Sequence, residues 1–482
     1  GIKIRSNIFQ DAKNNDKYYP KEHATILCLN NKMDKNFQLL NEIIFNSKLN
    51  DKERLKEIIS STKMNLENQF MNNGFRFANE KILSYISEAG KYNNYQSEGF
   101  YKFLCELDKN FSSKSDEVIK NLENVRDMVF NKRDMIVSYT GEEKYYKNFI
   151  NIFNGFSKNL KNNDLKVQQY KFDDSNINEG IIAPSKVQYV TKGGNIESTG
   201  YKDTGKLQVL ANVLGSGYLW NGVRIKGGAY GVNVFINSGN ILFSSYRDPN
   251  LKETIDIFDK VPEYLASFNA DEKEMTNYII GTIGKQESDM NGLVNKLGPI
   301  SEGIIADDMY ISGVTKEDIQ KQREEVLSTT SQDIRNFAKL VDGVLKQDYL
   351  CVVGGDSKIN ENKKEFMAIE NILDSNHKKD LTMTMEKKEN VPVDKIFTVS
   401  FSRDLDKGTV NKSNIYVLDE NNHKVSTVVS YDDVNKSVEV NPNHNYESGK
   451  KYTLFIKGIQ SVKESGKVVK LKSPIKMEFT IK

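Results

Sequence analysis

A helical spacing gives way to a strand spacing across two adjacent glycines, and that changeover constrains this chain more than any other stretch of it. Leu207, Leu210, Leu214 and Tyr218 recur every three or four residues, the period of one face of an α-helix. Beyond Gly227-Gly228 the period becomes two: Tyr230, Val232, Val234 and Ile236 alternate as they would on one face of a strand. Asn237-Ser-Gly-Asn240 then predicts a tight turn into Ile241-Leu-Phe-Ser-Ser-Tyr246, since Asn, Ser and Gly are residues that hairpin turns favour. A helix feeding a hairpin through a Gly-Gly bend is a unit of mixed helix-and-sheet architecture, and the fold class expected is α+β.

The neighbouring segments extend that reading. Lys186–Val190 and Tyr349–Val353 read as strands, the second ended by Gly354-Gly355, and Leu251–Leu265 and Glu272–Thr282 read as helices. Thr315-x-x-Asp318 has the form of a helix start. Upstream, to about Gly180, the texture is mostly helical. Leu39, Leu40, Ile43 and Ile44 form one apolar stripe, and Leu55, Ile58, Ile59, Leu66 and Phe70 form another. Met135–Tyr139 reads as a strand, and Gly1–Phe9 alternates like a strand already inside a sheet. Asp374–Asn390 is polar and charged, the best linker candidate. Past it come short strands at close spacing, Phe397–Phe401, Asn414–Leu418, Ser437–Val440, Lys451–Ile456 and Ile475–Ile481, which predict an all-β sandwich of Ig-like size.

Charge and cysteine usage narrow the function classes. The 68 basic and 66 acidic side chains leave a net charge of +2, so no overall field recruits nucleic acid or an anionic membrane. No apolar run reaches the roughly 18 residues that span a bilayer. Cys28, Cys105 and Cys351 lie far apart with no C-x-x-C pair, which excludes a thiolate metal cage and predicts three small buried side chains.

The run Tyr218-Leu-Trp-Asn-Gly-Val-Arg-Ile-Lys-Gly-Gly-Ala-Tyr-Gly231, with Ser245-Tyr-Arg-Asp-Pro-Asn250 behind it, resembles the substrate-binding motif in the C-terminal half of pitrilysin-type zinc peptidases, the presequence-protease group in particular. Asp51–Leu55 and Gly74–Ala78 are similar to that group's third domain; Val187–Val190 and Leu219–Tyr230 are similar to its fourth. The resemblance implies two pitrilysin-like αβ domains, over residues 1–180 and 181–375, the first lacking its opening strand and helix and so continuing a polypeptide upstream. A linker, 376–390, would join them to a sandwich over 391–482. That tail, with Phe401–Asp406, Thr409–Asn411, Asn441-Pro442 and Tyr446-x-x-Gly449, resembles bacterial Ig-like repeats, which implies a secreted or cell-surface setting and leaves a cytoplasmic one open.

The family's metal signature is an inverted H-x-x-E-H on a helix. The histidines here are His23, His377, His423 and His444, none within four residues of another. The resemblance therefore implies no zinc on this chain: the N-terminal half of the same enzyme would be the partner that holds it, with unstructured peptides as substrates. By resemblance Tyr230 is the catalytic residue, its phenol hydroxyl donating to the oxyanion that forms on the scissile carbonyl. Arg224 would hold a substrate backbone carbonyl, and Gly227 and Gly228 would let the backbone turn close to the peptide.

Other readings stand beside these. Tyr230 shares strand parity with Val232 and Val234 and could be a core tyrosine, and Arg224 could pair with a surface carboxylate. Asp248-Pro-Asn250 reads as a turn and helix cap, with Tyr246 and Arg247 as distant candidates for lining a chamber. Asp404, Asp406, Asp432 and Asp433 invite a calcium reading against ordinary turn acids. Two other functions fit the same domains: a non-catalytic pseudo-peptidase scaffold, or a surface-adhesion protein that works through its Ig-like tail.

Overall fold

The computed structural model describes residues 1–14, 17–133, 135–164, 178–297, 300–373, 378–380, 383–420, 423–462, 469, 471 and 474–482. The chain is α+β and divides into two compact units, one of residues 1–177 and 183–355, the other of residues 178–182 and 356–482.

The first unit opens with the antiparallel hairpin Ile2–Gln10 and Tyr18–Ile26. A helical array follows: Met33–Asn41, Lys52–Asn72, Gly74–Ile86, Glu88–Asn94, Phe100–Val129 and Tyr146–Ser157. Lys52–Asn72 and Phe100–Val129 close around Ile59, Leu104, Leu107 and Phe111. The predicted stripes are only half used. Leu40, Ile44, Ile59 and Phe70 are buried, whereas Leu39, Ile43 and Ile58 stay exposed. Met135–Tyr139 is not a strand: it pairs with nothing among the described residues, and Met135, Ile136 and Val137 are exposed. An alternating apolar run becomes a strand only where a neighbour takes its backbone bonds.

The same unit holds a four-stranded antiparallel sheet in the spatial order Gly231–Asn237, Asn240–Tyr246, Tyr189–Asn195, Tyr349–Gly354. Its Ser238 and Gly239 sit at φ of 50° and 71°, the two positive values that a tight two-residue hairpin needs. The Gly205–Val213 helix buries Leu207 and Leu210 and continues through two wide π-helical segments, Leu214–Tyr218 and Trp220–Lys226. Thr315 and Asp318 form a reciprocal capping box, as does the Thr330/Asp333 pair one helix later.

In the second unit Asn178–Ile182 runs parallel to Ala368–Asn371, which pairs antiparallel with Lys378–Asp380. A sandwich follows. One sheet orders Met383–Thr384, Ile475–Ile481, Lys451–Ile456, Ile415–Asp419 and Lys424–Val425, with Lys388–Val391 also on Ile475–Ile481; the other orders Phe397–Ser400, Ser437–Pro442, Thr427–Asp432. Phe397, Val417, Val440, Leu454 and Phe479 fill the space between them. The stretch read as a linker thus contributes short strands, and His377 lies outside the described residues.

The calcium candidates are turn acids. Asp432 accepts from the backbone of Val434 and Asn435, Asp406 from that of Gly408, while Asp404 and Asp433 pair with Lys436 and Lys407. Of the three cysteines only Cys351 is fully buried; Cys28 and Cys105 are half-buried. Among the described residues no helix is long and apolar enough to cross a membrane.

Candidate functional site

Arg224 lies in the second wide helical segment and Tyr230 just ahead of the hairpin, so the Gly-Gly bend decides how they face each other. Gly228 takes φ of +79°, a left-handed value that costs any side chain. A Cβ on Gly227 would lie 2.6 Å from the carbonyl oxygen of Val223, so that position is closed for a different reason, a tight backbone approach. The bend is also tied from outside: Asn250 Nδ2 donates to the Gly227 carbonyl at 2.5 Å. Gly228→Ala is therefore expected to lower stability by about 1 kcal/mol or more and to lower peptidase activity of the assembled enzyme. Urea unfolding of this chain, followed by the fluorescence of its single tryptophan, Trp220, reads the first part.

The bend brings Arg224 back over Tyr230. The guanidinium carbon sits 5.6 Å from the Tyr230 ring centre and 5.7 Å from that of Trp220, between two aromatic faces. Its Nη1 donates to the Ala229 carbonyl at 3.0 Å, and its Nε is buried with no partner among the described residues. Among the described residues the contacts given for the guanidinium are these two rings and the Ala229 carbonyl, not a carboxylate.

Tyr230 is 66% exposed, so it is not a core tyrosine. Its parity with Val232 and Val234 misleads because the strand begins only at Gly231. The Tyr230 N–H is drawn instead to the carbonyls of Tyr246 and Arg247, at 3.1 and 3.3 Å. The ring stands edge-on to Tyr246 at 5.8 Å.

Ser245–Asn250 does more than exit a strand. Asp248 is fully buried, and its carboxylate accepts from the Asn250 N–H at 2.9 Å and the Thr254 hydroxyl at 2.7 Å. Burial pushes the Asp248 carboxyl up, while these bonds pull it back. Asp248 thus fixes Asn250, Asn250 fixes Gly227, and Tyr246 and Arg247 fix Tyr230. Sequence reasoning assigned this turn no structural role towards the bend; the amide side chain of Asn250, 23 residues from the carbonyl it holds, gave no local signal.

Zinc fits none of this. Among the described residues no three of His, Cys, Asp and Glu come together as metal donors, and no chemical step through zinc is derived from these side chains.

Residues 178–356 match the PreP C-terminal domain family, 1–107 the family of domains associated with M16 peptidases of subgroup C, and 382–481 the bacterial Ig-like domain family. The chain is 39% identical over 378 residues to Protein HypA of Clostridium perfringens, covering 77% of this chain and 38% of that protein. It is 30% identical over 347 residues to presequence protease 1, chloroplastic/mitochondrial, of Arabidopsis thaliana, covering 70% of this chain and 31% of that one. It therefore spans less than two fifths of either relative's length. A protease from Helicobacter pylori aligns at 13% identity with a TM-score of 0.46, over 73% of this chain and 82% of that one. With these matches over the bend and both αβ regions, the chain belongs to the presequence-protease group of the pitrilysin-type (M16) peptidases, with a bacterial Ig-like domain following.

Proposed function

We propose that this chain is the substrate-binding, C-terminal half of a zinc metalloendopeptidase that degrades unstructured peptides. An N-terminal half of the same enzyme supplies the zinc and the glutamate base, and this half completes the active site. The observation that carries the reading is the pairing of Arg224 with the exposed Tyr230, 5.6 Å from guanidinium carbon to ring centre, on a bend tied down by Asn250. Arg224 holds a substrate backbone carbonyl and so sets the register. Tyr230 donates to the oxyanion that develops on the scissile carbonyl. Gly227 and Gly228 keep side chains out of the peptide's way.

In this reading residues 1–180 and 181–375 are the two pitrilysin-like domains and 391–482 the Ig-like module, to which part of the 376–390 stretch adds short strands in place of a plain linker; the module supports a secreted or cell-surface setting and leaves a cytoplasmic one open. The names of the relatives support peptide hydrolysis, and the absence of an H-x-x-E-H among the four histidines supports the division of labour.

Complementation tests it. A quenched unstructured peptide is expected to be cleaved by this chain together with its zinc-bearing half and by neither alone, and a chelator should abolish the cleavage. Arg224→Lys, which removes the fork and keeps the charge, is expected to raise KM by about tenfold, the worth of one charge-assisted hydrogen bond. Zinc-dependent hydrolysis by this chain alone, or none from properly assembled halves, would overturn the reading.

A further inference from the structure

The wide helical segment that ends at the bend turns one side inward. Leu219, just before it, and Val223 within it are both fully buried, four residues apart. Trp220 and Arg224 follow them by one residue each, so the two share the neighbouring strip of the same helix. Trp220 is 40% exposed, so its indole is held partly in water beside a cation.

Two rings hold that cation. The guanidinium carbon lies 5.7 Å from the Trp220 ring centre and 5.6 Å from that of Tyr230. Tyr230 is fixed from its own side, by the bonds of its N–H to the Tyr246 and Arg247 carbonyls and by its edge-on contact with Tyr246. Nη1 is tied to the bend, donating to the Ala229 carbonyl at 3.0 Å, so the rings restrain the rest of the fork. A carboxylate would fix an arginine more tightly, but it would neutralise the charge and occupy donors that a peptide carbonyl needs. An aromatic ring attracts the cation through its quadrupole and takes none of them.

We propose that Trp220 is a positioning residue: together with the Tyr230 ring, its indole holds the Arg224 guanidinium where it meets a substrate carbonyl. The inference rests on the reading of Arg224 as a substrate-binding residue and adds the group that keeps it in place. An arginine restrained before the peptide arrives gives up less side-chain freedom on binding, and that difference falls on affinity. Trp220 itself takes no part in the chemistry. An apolar side chain of similar bulk cannot replace it, because the attraction comes from the ring and not from burial.

The test has two arms. NMR relaxation of the arginine Nε–H groups reads the order of Arg224 in this chain alone, its signal assigned by its loss in Arg224→Lys. In Trp220→Leu the order parameter is expected to fall below about 0.6, the flexible range, and in Trp220→Phe to stay near that of a rigid N–H. In the assembled enzyme, cleavage of a quenched unstructured peptide should show KM raised roughly three- to tenfold by Trp220→Leu, the worth of a partly exposed cation–π contact, with kcat nearly unchanged. Trp220→Phe keeps a ring and should recover KM to within about twofold. On an Arg224→Met background, Trp220→Leu should change KM by less than about twofold, since no cation is left to position. Far-ultraviolet circular dichroism confirms that each variant is folded.

Undiminished order of Arg224 in Trp220→Leu overturns the inference. So does a KM shift that Trp220→Phe shows equally, which would make the indole a packing group, or one that persists in full beside Arg224→Met, which would place Trp220 against the peptide itself. A loss confined to kcat overturns it too. None of these outcomes touches the half-enzyme reading, which falls if properly assembled halves cleave nothing; the order of Arg224 then still decides whether Trp220 holds it.

Discussion

Tyr230→Phe is expected to lower kcat of the assembled peptidase by roughly 10²–10³ while leaving KM nearly unchanged. The substitution deletes one oxygen. The N–H bonds from residue 230 to Tyr246 and Arg247 come from the backbone, and the edge-on contact with Tyr246 comes from the ring, so both survive. With 66% of the residue exposed, no buried donor is orphaned and stability should not move. A hydroxyl that meets its acceptor only as the carbonyl gains charge contributes nothing to ground-state binding, and its loss falls on kcat and on kcat/KM equally. Arg224→Lys should show the opposite split, in KM, because a ground-state carbonyl is already an acceptor. Steady-state cleavage of a quenched unstructured peptide separates the two. An unchanged kcat in Tyr230→Phe removes Tyr230 from the chemistry; a rise in KM alone makes it a second binding residue.

The elements around the bend were legible because they are local. Leu207, Leu210 and Leu214 fall on one helical face and all are fully buried, and the Asn237–Asn240 turn carries the residue types its geometry demands. Arg224, Gly227, Gly228 and Tyr230 stand out together only through their resemblance to the presequence-protease motif; spacing alone leaves Tyr230 as a core tyrosine and Arg224 as a surface ion-pair partner. Burial at the bend was harder to read. Period-two counting assigns Tyr230 to the core, but the pleat starts one residue later and the ring turns outward. The brace from Asn250 and the open Nε of Arg224 depend on where distant segments meet, which no local pattern encodes. Met135–Tyr139 shows the same limit, since its propensity for a strand finds no partner among the described residues. A chain in which 28% of residues are charged hides its rare buried charges among many solvated ones, and Lys81 and Glu98 are the clearest case.

Glu98→Gln is expected to destabilise the first unit by about 3–5 kcal/mol, because it takes the carboxylate charge from a buried ion pair. Lys81 and Glu98 side chains are only 8% and 5% exposed and meet at 2.7 Å; Lys102, 39% exposed, reaches the other carboxylate oxygen at 2.6 Å. Burial alone pushes the Glu98 carboxyl up, but Lys81 and then Lys102 more than offset it and hold it down, to about 2. The folded value lies below the unfolded one, so the contribution is fully present above the ordinary carboxylate range, near 4.5, and is lost as pH falls towards 2. Lys81→Met should cost less than Glu98→Gln, since Glu98 keeps the ion pair with Lys102. The double replacement Lys81→Met with Glu98→Leu should recover most of the loss, because a well-packed apolar pair can match a buried ion pair. Urea unfolding followed by Trp220, which lies in this unit, reads each variant without interference from the tryptophan-free second unit. If Glu98→Gln costs under about 1 kcal/mol, the value of an exposed pair, then water reaches Lys81 in solution and the pair is not a buried one. If the cost is large but persists unchanged at pH 3, packing rather than charge holds this corner together.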